Sequence, residues 1–200
     1  GIPSRIGEAR AAGYAQGNLP LVSFVDPDDL YDASAFTQLA DALDACPKAV
    51  MAYTDEALTD ENGRDIAVRR LAYSRWQHAN SASHVHGLIV MRRSAVEVAL
   101  AETTDLNNFA DWLLTLLVAK RGGVLYLPIV GRHWRQHPQQ SHRTGDPDAV
   151  RRIRHASNPG DKPCHQPIRT LDSITAGRSA RAAGTPAWMP TSSASARWSA

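Results

Sequence analysis

Three carboxylates fall within four residues in Asp26-Pro27-Asp28-Asp29, directly after the apolar run Leu21-Val22-Ser23-Phe24-Val25. Carboxylates this close repel one another unless a positive charge sits among them, and a hard divalent ion such as Mg²⁺ or Mn²⁺, shared with a substrate's phosphates, supplies one. A solvated acidic turn with an Asp capping the next helix accounts for the same residues. Asp111, beside Trp112, has the chemistry of a general base that takes a proton from a hydroxyl. Near the start of a helix it is equally a carboxylate favoured by the helix dipole. The run His133-Trp134-Arg135-Gln136-His137, with His142 after it, offers imidazoles that ligate metals and a guanidinium that neutralises phosphate, or else a set of solvated surface side chains.

The pattern around these residues supplies the elements that hold them. Ser4 is placed to cap a helix running to Ala15, and Gly17-Asn18-Leu19-Pro20 stops it. Leu21 to Val25 then reads as a short buried strand that delivers Asp26, Asp28 and Asp29 to the carboxyl edge of a sheet, where open α/β sheets bind ligands. Asp32 or Ser34 caps a second helix, with Phe36, Leu39, Leu43 and Cys46 at helical spacing and Pro47 closing it. Ala49 to Thr54 is the next strand, Asp60-Glu61-Asn62-Gly63-Arg64 is a turn, and Asp65 to Ser83 is polar without a clear period. Val85 to Met91 is a strand by its β-branched content, and Ser94 starts a short helix to Leu100. Asn107 or Asn108 starts a longer helix with Phe109, Trp112, Leu113, Leu116 and Leu117 inward, halted at Gly122-Gly123. Val124 to Pro128 and Ile129 to Arg135 read as two last strands. Strands alternating with helices imply an α/β fold with a mostly parallel sheet flanked by helices.

Two hundred residues with 43% hydrophobic and 21% charged side chains fit one globular domain and a tail, and exclude a wholly disordered, collagen-like or disulfide-scaffold chain. Residues 1–141 hold 13 Lys/Arg against 16 Asp/Glu, net −3, whereas residues 142–200 hold 9 against 4, net +5. The basic balance therefore belongs to the tail. Spread over 59 residues without interleaved aromatics, it gives no specific nucleic-acid surface. From residue 157 onward Gly, Pro, Ser, Ala and Arg dominate without period, the composition of a disordered segment. Cys46 and Cys164 stand far apart and suggest neither a disulfide framework nor a metal knuckle, which makes a reducing compartment the default. No apolar run reaches the roughly 18 residues that span a bilayer.

In order, the segments Ala9-Arg10-Ala11-Ala12-Gly13, Val25-Asp26-Pro27-Asp28-Asp29, Tyr53-Thr54-Asp55-Glu56 with Asp60-Glu61-Asn62-Gly63-Arg64, His86-Gly87-Leu88-Ile89-Val90-Met91-Arg92-Arg93, Ala110-Asp111-Trp112 and Tyr126-Leu127-Pro128 through Trp134-Arg135-Gln136-His137 resemble the family 2 glycosyltransferases of the GT-A fold. The resemblance runs from Arg5 to about Arg143, so residues 1–143 are expected to form the domain and 144–200 the basic tail. It implies a nucleotide-sugar donor, a Mg²⁺ or Mn²⁺ cofactor on the donor's diphosphate, and a glycan, lipid-linked or protein acceptor. By matching position Asp28 is the metal ligand of the D-x-D motif, Asp26 contacts the donor's ribose or the metal, and His137 completes the metal site. Asp111 is the catalytic base of an inverting displacement, and Arg10 and Arg135 reach the donor's phosphates. The resemblance places such an enzyme in the cytoplasm or peripherally at the inner face of a membrane. Where the family has a Glu before the base this chain has Ala110, and where it has an Asn after the Arg it has Ala11. The family's first strand and its nucleobase turn have no counterpart after Gly1, so the chain is expected to begin partway through a longer protein. The alternative expectation is a catalytically inactive remnant that binds a sugar or a protein.

Overall fold

The computed structural model describes residues 6–102 and 110–136, together with Asp148, Arg151 and Ile153. Helix α1 (Ile6–Ala15) leads into strand β1 (Leu21–Ser23), β2 (Leu30–Tyr31), α2 (Ala33–Ala45), β3 (Ala49–Thr59), β4 (Asp65–Arg69), α3 (Arg75–Asn80), β5 (Ile89–Arg92), α4 (Arg93–Ala101), α5 (Ala110–Ala119) and β6 (Gly123–Arg135). The α/β class follows from the sequence. The mostly parallel sheet does not: the order is β1-β5-β3-β6-β2 with β4 added on β3, and β3 with β6 is the parallel pair of a mixed sheet. The pairs β1–β5, β3–β5, β3–β4 and β2–β6 are antiparallel. Connection length decides the direction. A parallel neighbour needs a crossover of a dozen residues or more, which α3, α4 and α5 supply between β3 and β6. Between β3 and β4 there is only a tight turn, in which Asp60 accepts from the N–H groups of Asn62 and Arg64, each at 2.9 Å, and Gly63 takes a φ of 79°. A hairpin is the outcome.

Strand β3 is the spine of the sheet. Its first half pairs with β5 and its second with β4 along one edge, and β6 runs beside it along the other. The register with β6 slips after Thr54↔Leu127, so that Asp55 lies opposite Val130 and Glu56 opposite Arg132. The slip accommodates Pro128, which donates no backbone hydrogen bond, inside one continuous strand. Hence the two strands expected over 124–135 are one. The same slip sets Arg132 against Glu56.

Several boundaries differ from expectation for local reasons. The strand expected to end at Thr54 continues to Thr59 because Asp55 and Glu56 find buried partners. The polar stretch after residue 64 holds β4 and α3, the latter capped by Ser74. At α2 the cap is Asp32, whose carboxylate accepts from the Ser34 N–H at 2.8 Å. Helix α4 starts at Arg93 rather than after Ser94, because the Arg93 N–H donates to the Pro20 carbonyl at 2.8 Å and needs no side-chain cap. The start expected at Asn107 or Asn108, Phe109, Ser4 and the tail from residue 157 lie outside the described residues.

Apolar side chains cover both faces of the sheet. On one, Leu39 and Leu43 of α2 pack against Ala52, Leu88, Leu125 and Leu127. On the other, α4 and α5 bring Val96, Trp112, Leu116 and Val118 against Met51, Tyr53 and Met91, and Ile153 joins them. Burying Leu39 and Leu43 completely stabilises the fold by roughly 1.5–3 kcal/mol each. Among the described residues no helix is long and apolar enough to cross a membrane.

Candidate functional site

The carboxylates that follow β1 are tied into a connected ionic network rather than left in a solvated turn. Asp26 accepts from Arg10 Nη2 at 2.8 Å through Oδ1 and from Arg132 Nη2 at 3.2 Å through Oδ2. Asp29 is held by Arg132 Nε at 2.8 Å and Nη2 at 2.5 Å, and its other oxygen accepts from the Arg135 N–H at 3.0 Å. Arg132 continues to Glu56, 3.5 Å away. Glu56 in turn accepts from Arg69 at 2.9 Å and faces His86 Nδ1 at 2.5 Å. Arg10 reaches from Asp26 toward Asp111, at 3.7 Å. Among the described residues the network sets the carboxylates Asp26, Asp29, Glu56 and Asp111 against the guanidiniums Arg10, Arg69 and Arg132. It is neutral when His86 carries a proton and singly negative when it does not.

Local structure fixes each member. Pairing of β2 with β6 sets Leu30 opposite His133 and Tyr31 opposite Arg132, which folds the acidic turn back over β6. The Tyr31 hydroxyl accepts from the Asp26 N–H at 3.0 Å, and the Asp32 N–H donates to the Gly131 carbonyl at 3.1 Å. Two glycines let the backbones close in on Thr54. At Gly87, where φ is 68°, a Cβ would lie 2.4 Å from the Thr54 carbonyl oxygen, and at Gly131 it would lie 2.5 Å from Thr54 Oγ1. Trp134 packs beside the His86 ring at 5.5 Å between centroids, with the Arg69 guanidinium 5.4 Å from its own ring centre.

Burial and charge act on these groups in opposite directions. Burial would raise the Glu56 carboxyl, but the His86 contact and the Arg132 and Arg69 guanidiniums hold it below its ordinary value. For Asp29 burial prevails, and the carboxyl is raised despite Arg132 and the Arg135 N–H. Burial alone would lower the guanidinium of Arg132, yet Tyr31, Glu56, Asp29 and Asp26 carry it upward, so it remains charged. On the opposite side of β3 a separate pair forms: burial raises the carboxyl of Asp55, which accepts from the Tyr126 hydroxyl at 2.5 Å.

Of the residues singled out in the sequence, the fold brings Arg10, Asp26, Asp29 and Asp111 together and sets Asp28, exposed, in the turn beside them. Asp111 also accepts from the Trp112 N–H at 3.0 Å, a contact of the kind the helix-terminus reading anticipates. Arg135 joins through its backbone N–H. His133 pairs instead with Asp65 at 3.1 Å on the outer surface, and His137 and His142 lie outside the described residues. Among the described residues no three His, Cys, Asp or Glu side chains are grouped to hold a metal ion. Guanidiniums occupy both oxygens of Asp26, and Asp29 already takes Arg132 and the Arg135 N–H, so neither carboxylate is spare for a hard cation. Mg²⁺ is commonly held by one or two carboxylates together with a substrate's phosphates.

Sequence reasoning missed Arg132, Glu56, His86 and Arg69. The available sign was charge inside strands: a Glu or Arg in a buried run must be paired. Beside the network a cleft of about 430 Å³ opens between α1 and β1, lined by Arg10, Tyr14, Ser23, Phe24, Val25 and Arg93 among others. Arg10 belongs to both, stacking over the Phe24 ring at 4.5 Å. The chain matches no protein-family model and no curated protein, so the chemistry of this site has to be drawn from the residues that line it.

Proposed function

We propose that this chain is a glycosyltransferase domain of GT-A type, which moves a sugar from a nucleotide-sugar donor to a glycan, lipid-linked or protein acceptor by metal-assisted, inverting displacement. The observation that carries the reading is the convergence of Arg10, Asp26, Asp29, Glu56, His86, Asp111 and Arg132, from segments spread between residues 10 and 132, into one network beside a cleft. A cleft of about 430 Å³ is within the usual range for small-molecule sites. In this reading Asp28, with His137, holds Mg²⁺ or Mn²⁺, which when bound neutralises the charge of the departing diphosphate. Asp26 fixes the guanidinium of Arg10, which lines the cleft, and with Asp29 holds the buried guanidinium of Arg132; in this reading Arg10 and Arg135 meet the donor's phosphates. Asp111 takes the proton of the acceptor hydroxyl as it attacks. Work in the cytoplasm or at the inner face of a membrane belongs to the same proposal.

The test is thermal unfolding of the chain and of Asp28→Ala with and without Mn²⁺ plus each of several nucleoside diphosphates. Ligand at 100 times its Kd stabilises by about 2.7 kcal/mol. The expected result is a Mn²⁺-dependent rise with one nucleotide that Asp28→Ala abolishes. An equal rise in the variant removes Asp28 as the metal ligand. No rise with any nucleotide favours the second reading, a sugar- or protein-binding module without turnover. That reading draws on the pairing of Asp26 and Asp29 with Arg10 and Arg132, which satisfies both carboxylates without a cation from outside.

A further inference from the structure

We propose that His86 is a proton donor of this site, its Nε2 giving a proton to the phosphate oxygen that leaves, with Glu56 as its positioning residue. The inference rests on the reading of the site as one that breaks a bond to a diphosphate. Its geometric basis is a carboxylate–imidazole pair. Nδ1 of His86 faces Glu56 Oε2 at 2.5 Å, and the Glu56 side chain is 1% exposed and gripped on its other oxygen by Arg69 at 2.9 Å. That carboxylate cannot swing away. It sets the Nδ1–H tautomer and turns the opposite ring edge outward, and 21% of the His86 side chain remains exposed. No described residue bonds to Nε2. The backbone is held as firmly as the ring, because Gly87 wedges against the carbonyls of Thr54 and Asp55 while Trp134 packs against the imidazole.

Placement chooses the leaving-group side. Arg132 spans from His86 Nδ1, at 3.3 Å, to Asp26 at 3.2 Å, so the imidazole stands one guanidinium away from the acidic turn, whereas Asp111 lies beyond Arg10 at the other end of the network. Charge selects the donor role. His86 is faced by Glu56 from β3 and by Arg132 and Trp134 from β6, with Arg69 of β4 acting through Glu56. Only the protonated ring can donate, and Glu56 is the carboxylate that faces it. In the step, the bond between the anomeric carbon and the phosphate oxygen breaks with its electron pair going to oxygen, which takes the Nε2 proton. The acceptor oxygen forms the new bond to carbon and passes its own proton to Asp111. Glu56 stays ionised throughout, and solvent returns the proton to His86.

The experiment follows the histidine ring signals of the full chain by NMR during titration with inorganic pyrophosphate and Mg²⁺, alongside the arginine side-chain signals. Pyrophosphate is expected to shift His86 together with Arg10 and Arg132. Shifts at Arg10 and Arg132 that leave His86 unmoved overturn the inference and let the proposed function stand. Shifts at none of them overturn both. With the nucleotide-sugar whose nucleotide raises the melting temperature, His86→Gln is expected to lower kcat 10²–10⁴-fold with little change in KM. Glu56→Gln is expected to move the alkaline limb of the pH–rate profile to lower pH. Should His86→Gln fail to fold, an unmoved limb in Glu56→Gln overturns the inference by itself.

Discussion

Arg132, with 7% of its side chain exposed, shares one guanidinium among Asp26, Asp29 and Glu56, two of which are themselves almost wholly buried. A buried ion pair gains little over apolar packing, but removing one partner leaves charge without compensation and costs about 3–5 kcal/mol. Arg132→Met is therefore expected to lose about that much in urea unfolding, and Arg132→Lys to recover little, since an ammonium cannot reproduce the fork that grips Asp29 through Nε and Nη2 together. A loss below 1 kcal/mol for Arg132→Met would mean that these carboxylates find other partners. At this scale the sequence revealed the carboxylates and not their counterions. Asp26, Asp28 and Asp29 announce themselves by crowding, whereas Arg132 and Glu56 stand some 76 residues apart and meet only because the β3–β6 register slips.

Strand β3 carries the elements of the site, and its neighbours crowd against it at Thr54. The Leu88 N–H donates to Thr54 Oγ1 and the Thr54 N–H to the Leu88 carbonyl, both at 3.1 Å, which leaves Gly87 pressed onto carbonyl oxygens that cannot move. Gly87→Ala adds a left-handed φ penalty of about 1–2 kcal/mol to a backbone clash. A loss of about 2 kcal/mol or more is expected in denaturant unfolding, with the His86–Glu56 contact disturbed alongside. A neutral Gly87→Ala would show that the segment relaxes freely. The alternation of elements and most of their apolar faces were legible in sequence because helix and strand periods are local. Strand direction was not, since it is set by what joins the strands. The hairpin at Gly63 and the bulge at Pro128 were read as a bare turn and as a break between two strands.

Taken as a whole, the molecule buries titratable groups on both faces of its sheet, so its stability is tied to pH. The largest contribution comes from His78, enclosed between α3 and α5. Thr115 Oγ1 donates to the Trp112 carbonyl at 3.0 Å and lies 3.1 Å from His78 Nε2, so Nε2 carries the hydrogen. His78 Nδ1 is buried with no hydrogen-bond partner among the described residues, and a proton there would have no acceptor. Burial, with neighbouring His84, lowers His78 to about 3 from 6.5. The unfolded chain therefore binds a proton that the folded chain refuses, and stability complete above pH 6.5 drains away as the pH falls toward 3. His84, lowered by burial, acts in the same direction. Glu56, held low, adds a further loss below about pH 4.5, and Asp29, held high, opposes it there. Between pH 7.5 and 5 the histidines dominate, and His78 alone accounts for a fall of about 2 kcal/mol. His78→Phe puts a somewhat larger, apolar ring in the site and leaves the Thr115 hydroxyl its bond to the Trp112 carbonyl. Denaturant unfolding of that variant is expected to show most of the slope between pH 7.5 and 5 gone, and a slope equal to that of the parent chain would remove His78 as its source.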